Sequence, residues 1–354
     1  MFRKLLFLCF SALVLVGAGG ALWAWQGLET LKKPIPLAQP EVFTVESGTA
    51  FSQLAYRLAE EGLVSESLWL RLYGRLNPEQ TRIKAGDYQL EPGMTPLAVL
   101  DDMVEGRVKH WSVQFIEGRT FADLRARLAA SEHLHKETTD WTDAEIMAAV
   151  GAPDQHPEGR FFPDTYLFTS SESDLDLLKR SYERMASVLE EEWQQRAENL
   201  PYESAYDALI MASIVERETG VAGERQDVAG VFVRRLQKGM RLQTDPTVIY
   251  GMGDSYEGRI GRRDLRTHTP YNTYMINGLP PTPIALPGRE AIHAALHPAE
   301  GSALYFVARG DGTHKFSDTL AEHQRAVREY QLNRSEDYRS YPAPEDENTE
   351  EAGQ

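Results

Sequence analysis

The residue types and spacing best suited to acid–base chemistry lie on one stretch, Ala208-x-x-Met211-x-x-x-Val215-x-x-Glu218. This 3-4-3 spacing puts all four on one helix face, so a carboxylate ends an otherwise apolar stripe. Desolvation on the stripe and the negative end of the helix dipole both raise a carboxyl pKa. A glutamic acid kept protonated near neutral pH is what a general acid needs. Glu216 lies about 200° away around the helix and is the poorer candidate. The alternative for Glu218 is a salt bridge to one of the chain's many arginines. Two loops concentrate polar and aromatic groups: Arg241-Leu242-Gln243-Thr244-Asp245-Pro246-Thr247 and Pro270-Tyr271-Asn272-Thr273-Tyr274. Aromatic faces with interleaved amides and hydroxyls suit sugar rings. A loop stapled by its own Asx and Thr turns has the same composition.

Other chemistries lack their residues. No Gly-x-x-x-x-Gly-Lys is present, and Gly251-x-Gly253 lacks the third glycine of a dinucleotide fingerprint. Neither Gly-x-Ser-x-Gly nor Ser-x-x-Lys occurs. His293 and His297 are spaced i,i+4, but Ala294 stands where a zincin helix carries Glu. They read as structural, and no metal or other cofactor is expected.

The elements that must position these residues are spread over 354 residues, enough for two or three domains. Hydrophobic content of 42% supports real cores. A net charge of −16 argues against nucleic acid as a partner. Cys9, the single cysteine, excludes an intramolecular disulfide. Leu5 to Trp25 carries no charge. As a helix it spans about 31 Å, enough for a bilayer core of about 30 Å. Arg3 and Lys4 before it favour a cytoplasmic N-terminus, and Trp23 and Trp25 fit an interfacial belt. The competing reading is a cleaved signal peptide, whose apolar core is usually shorter.

Residues 1–4 thus read as a cytoplasmic tail, 5–25 as a transmembrane helix and the proline-bearing 26–41 as a stiff linker. An internal repeat follows. Val45 to Leu54 is echoed seventy residues on by Phe115 to Leu124, and the match continues through Arg57/Arg127, Leu58/Leu128 and Ala59/Ala129. Each copy reads as strand–helix–strand–helix, the second with an insertion near 132–160. This sets modules at 42–110 and 111–200 and a third region at 201–333. That region has helices near 203–218 and 224–238, long polar loops over 240–290, a helix near 288–296, a strand Leu304 to Ala308, a hairpin at Asp311-Gly312 and a last helix over 318–333. The tail 334–354 is acidic and expected to be disordered.

Met211 to Gly220 closely resembles the signature helix of the YceG-like family of endolytic murein transglycosylases. Met240 to Gly251, Tyr271 to Tyr274, Gly278 to Pro281, Phe161 to Thr165 and, more loosely, Ala299 to Phe316 resemble the same family. The resemblance covers nearly the whole chain. It implies an α+β protein with an N-terminal transmembrane helix, a LysM-like α/β module and a mixed α+β catalytic domain. It further implies a single-pass inner-membrane enzyme, its bulk periplasmic, that cuts nascent peptidoglycan glycan strands between N-acetylmuramic acid and N-acetylglucosamine and leaves 1,6-anhydro ends. Glu218 falls on the family's catalytic glutamate, and Gln243, Asp245, Tyr271, Asn272 and Tyr274 would line the glycan cleft. Peptidoglycan synthases are expected partners, because strand release must track strand growth. The alternatives are a hydrolytic muramidase using Asp245 and a non-enzymatic wall anchor or synthase scaffold.

Overall fold

The computed structural model describes residues 2–332, so the tail expected at 334–354 lies outside the described residues. The described chain is a mixed α+β fold in two compact units. One holds the chain up to Trp111 with the short returns 133–135 and 167–172, and the other holds the rest.

The first unit opens with α1 (Phe2–Thr30). Phe10, Leu13, Leu15 and Val16 are largely exposed, Val16 at 77%. Such a surface is at home in an apolar solvent rather than water. Phe10–Thr30 is long and apolar enough to cross a membrane, a property that an N-terminal signal sequence shares. The helix runs past Trp25 to Thr30, so the segment expected as linker begins as helix. Its end is built into the core. A Cβ on Gly27 would lie 2.3 Å from the Trp69 ring, Trp23 meets that ring edge-on at 4.6 Å, and Leu31 and Ile35 are buried. Proline stops the helix here, but the apolar residues between the prolines find the core and anchor the segment.

Next come β1 (Glu41–Val45), α2 (Phe51–Glu60), α3 (Ser67–Leu76), β2 (Gly86–Leu90) and α4 (Pro96–Glu105). The strands pair antiparallel, from Glu41 opposite Leu90 to Val45 opposite Gly86. Period-two alternation turns Phe43 and Val45 inward, where Leu54 and Leu58 of α2 and Trp69 and Leu70 of α3 join them. Pro96 opens α4 behind Thr95, whose Oγ1 accepts the Ala98 N–H at 3.2 Å.

Then β3 (Trp111–Gln114), α5 (Phe121–Ala130), α6 (Asp143–Ala149), β4 (Thr165–Phe168) and α7 (Asp174–Gln194) repeat the same order, and again the two strands pair. The sequence echo is therefore an echo in structure, with one addition: each copy carries a second helix between its strands, α3 or α6. These helices are short, and their buried apolar residues come as the adjacent pairs Trp69-Leu70 and Ile146-Met147. In α3, Leu72 and Tyr73 pack on the same core at i+3 and i+4 from Trp69, so a helical period is present, whereas α6 is too short to set one.

The second unit is built around α8 (Ala205–Glu218), with α7, α9 (Arg225–Gln237), α10 (Asp245–Met252) and α11 (Arg289–Leu296) against it. Every residue from Ala208 to Val215 is buried, so the helix is enclosed on all sides rather than along one stripe. Each buried Leu, Ile or Val there contributes about 1.5–3 kcal/mol. A capping box starts α8: Ser204 donates its N–H to Asp207 Oδ2 at 3.1 Å and accepts the Asp207 N–H at 3.4 Å. The unit closes with the antiparallel hairpin β5 (Tyr305–Ala308) and β6 (His314–Ser317), then α12 (Leu320–Val327). The hairpin loop is wider than an Asp-Gly turn. Asp311 Oδ1 accepts the N–H and hydroxyl of Thr313 at 2.9 and 2.6 Å, and Gly310 and Gly312 both hold φ above 90°.

Glu158 is a buried acid in this unit. It accepts the Phe121 N–H at 3.0 Å and the Tyr250 hydroxyl at 3.0 Å. Burial, opposed by these hydrogen bonds, pushes its carboxyl up to about 7. The folded state therefore holds an extra proton between the ordinary value of 4.5 and about 7, and stability falls as pH rises through that window. The expected loss by about pH 8 is about 3 kcal/mol. Urea unfolding of the wild type and Glu158→Gln at both ends of the window checks this: the variant should lose the dependence.

Candidate active site

Glu218 is the last residue of α8, and Thr219 leaves the helix in an extended conformation. Part of the Glu218 side chain faces a cavity, yet its carboxyl is packed deeply enough for desolvation to dominate. Burial pushes its pKa up and the neighbouring Asp245 adds to the rise, while the Thr244 hydrogen bond, His314 and Arg235 oppose it. Thr244 Oγ1 donates to Glu218 Oε2 at 2.7 Å, so one carboxyl oxygen is held and the other is left to carry a proton.

Three buried threonines place that donor. Thr244 N–H donates to Thr273 Oγ1 at 3.1 Å, the Thr247 and Thr273 hydroxyls lie 2.8 Å apart, and Thr247 Oγ1 donates to Thr244 O at 2.8 Å. They clip the two polar loops together. Gln243 sits beside the clip at φ 52°, a strained left-handed conformation for a residue with a side chain. Asp245 is the first residue of α10, and Tyr274 donates its hydroxyl to Asp245 Oδ1 at 2.7 Å. Burial, then the Asp245 charge, push the Tyr274 hydroxyl far up, so it stays a donor.

The cavity has a volume of about 410 Å³. Among the residues singled out from sequence, Glu218, Gln243, Asp245 and Tyr274 share its wall, with Arg235 and His314. Tyr271 and Asn272 lie outside it. The Tyr271 hydroxyl is 2.9 Å from Thr282 Oγ1, and its ring meets Tyr250 at 4.8 Å. Asn272 is 1% exposed; it donates to the carbonyls of Asp264 and Thr267 at 3.0 and 2.7 Å and accepts the Tyr274 N–H at 3.0 Å. These contacts make it a brace of the loop that carries Tyr274. Glu216 is occupied elsewhere, accepting the Gly288 N–H at 3.0 Å.

Sequence reasoning missed Thr244 as an individual, Arg235 and His314. Arg235, on α9, is 7% exposed. Its Nε donates to Leu304 O at 2.7 Å, and its Nη1 donates to the Leu242 and Arg241 carbonyls at 2.8 and 3.2 Å. It thereby ties β5 to the loop that carries Gln243, and it stacks on Tyr305 at 5.0 Å. The only signal was an arginine within an otherwise apolar helix face. Arg235→Met should lower stability by about 2–4 kcal/mol, because it strands buried carbonyls; chemical denaturation measures it. His293 and His297 do gain a third neighbour, Glu192, with donor atoms within 4.8 Å of one another. That carboxylate is already engaged by Arg289 Nη1 at 2.8 Å and His293 Nδ1 at 2.9 Å.

The family model described as the YceG-like family matches residues 43–329. The chain belongs to the YceG-like family. This YceG-like protein is 30% identical over 310 residues to the endolytic murein transglycosylase of Bacillus subtilis (strain 168), covering 82% of this chain and 85% of the relative. It is 26% identical over 367 residues to the protein of the same name from Streptococcus pneumoniae serotype 2 (strain D39 / NCTC 7466), covering 92% of this chain and 64% of that relative. The crystal structure of a YceG-like protein from Listeria monocytogenes is similar with a TM-score of 0.51 and 28% identity, over 81% of this chain and 99% of that one.

Proposed function

We propose that this YceG-like protein is an endolytic peptidoglycan lytic transglycosylase that cuts nascent glycan strands and ends their elongation. The observation that carries this is a single desolvated carboxyl, Glu218, steadied by Thr244 on the wall of a polar and aromatic cavity. The bacillary and streptococcal relatives, both named endolytic murein transglycosylases, support it. Glu218 gives its proton to the glycosidic oxygen between the muramic and glucosamine sugars. The muramic C6 hydroxyl attacks C1, its proton leaves to a base, and a 1,6-anhydro ring closes. An intramolecular nucleophile replaces the water-activating carboxylate that hydrolysis requires. Gln243, Asp245 and Tyr274 hold the sugars beside Glu218; Tyr271 and Asn272 act on them through the loop they brace.

The order β1–α2–α3–β2 with its two antiparallel strands supports reading 42–110 as a LysM-like glycan-binding module. The exposed apolar face of α1 supports a single span, with the bulk of the chain periplasmic and close to peptidoglycan synthases at the inner membrane.

Mass spectrometry of glycan strands treated with the full-length protein tests the proposal. Anhydro-muramic ends are expected. Reducing ends would overturn the lyase reading in favour of a muramidase with Asp245 as second carboxylate. Binding without cleavage would favour the anchor.

A further inference from the structure

One side chain on the cavity wall, His314, has no part in this reaction. His314 opens β6 and is 9% exposed, and its ring lines the same cavity as Glu218. Glu224, immediately ahead of α9, grips it twice: Oε1 accepts the His314 backbone N–H at 2.9 Å, and Oε2 lies 2.8 Å from Nδ1. A carboxylate only accepts, so Nδ1 carries a ring proton and donates it to Glu224, and Nε2 is the nitrogen free of that grip. Nε2 has no hydrogen-bond partner among the described residues. Phe306 meets the ring edge-on at 5.4 Å and fixes its plane. A histidine on a cavity wall, oriented through one nitrogen by a carboxylate, is the arrangement of a general base.

We propose that His314, oriented by Glu224, is the base that takes the proton of the muramic C6 hydroxyl, so that acid and base are two residues. This rests on the transglycosylase reading above. The Glu218 proton moves to the glycosidic oxygen as the C1–O bond breaks and its electron pair goes to that oxygen. O6 forms the new bond to C1 while its O–H electron pair stays on O6 and the proton passes to His314 Nε2. The site is left with a carboxylate and an imidazolium, and a water entering the emptied cleft returns the proton from one to the other. Asp245 is less suited to this role, because Tyr274 already occupies its Oδ1.

The bland reading is a structural ion pair that ties the hairpin to the start of α9, and chemical rescue separates the two. With the full-length protein and glycan strands, His314→Ala should lower kcat for anhydro ends by about 10²–10⁴-fold, with KM within about threefold of wild type. Added imidazole should restore at least about tenfold of that loss, because the base is replaced and not the fold. Glu224→Gln should lower kcat about tenfold or more by freeing the tautomer. His314→Ala within threefold of wild type overturns the proposal. So does a loss that imidazole fails to repair in both His314→Ala and His314→Gly, which would assign the pair to structure. Wild-type protein that forms no anhydro ends would sink the transglycosylase reading and this base with it. Anhydro ends formed equally by wild type and His314→Ala would sink the base alone.

Discussion

Glu218→Gln is expected to lower formation of anhydro ends by about 10²–10⁴-fold, the usual weight of a general acid, and to leave the fold at least as stable as the wild type near neutral pH. The two outcomes share one cause. Burial holds the Glu218 carboxyl above the ordinary glutamate range. A carboxyl whose folded pKa is raised contributes stability that is present at low pH and lost as pH rises through the folded value. Glutamine cannot ionise, so the variant escapes that loss, and its amide oxygen can still accept the Thr244 hydroxyl. Strand-end mass spectrometry and thermal unfolding on the same preparation read both quantities. Cleavage within threefold of wild type would remove Glu218 from the reaction; an inactive variant that is also much less stable would mean that Glu218 is structural.

Thr244→Val is expected to lower kcat by about 10–100-fold, the weight of one hydrogen bond to a group that becomes charged. Valine keeps the volume and suits the extended backbone at this position, φ −116° and ψ 130°. The Thr244 main-chain bonds to the threonine clip remain, so the loop is held and only the hydroxyl is lost. The pH profile carries the sharper test. The hydroxyl stabilises the ionised carboxyl and so restrains the rise in the Glu218 pKa. Activity needs the protonated acid and disappears as pH rises through that pKa. Without the hydroxyl the alkaline limb should therefore move to higher pH. A limb that moves down, or stays in place, would contradict the assignment of Glu218 as the acid that Thr244 steadies.

The sequence by itself determined the features that repeat over a few residues. The apolar stripe that ends in Glu218 is visible because i,i+3 and i,i+4 neighbours share a face. The seventy-residue echo, the apolar stretch of α1 and the family motifs are likewise linear patterns. Of the two short helices that go beyond the expected order, α6 has only seven residues and sets no period, whereas α3 carries an apolar face at i, i+3 and i+4 that the sequence shows. Only the tertiary structure decided which groups meet Glu218. Thr244 is 26 residues from it along the chain, Glu224 and His314 are 90 apart, and Glu192 and His293 are 101 apart. It also set Tyr274 on the cavity wall while turning Asn272, two residues away, into a brace beneath it. Local spacing fixes the direction of a side chain relative to its own helix or strand. Where that side chain arrives depends on how distant segments exclude water together, and no short-range pattern encodes that.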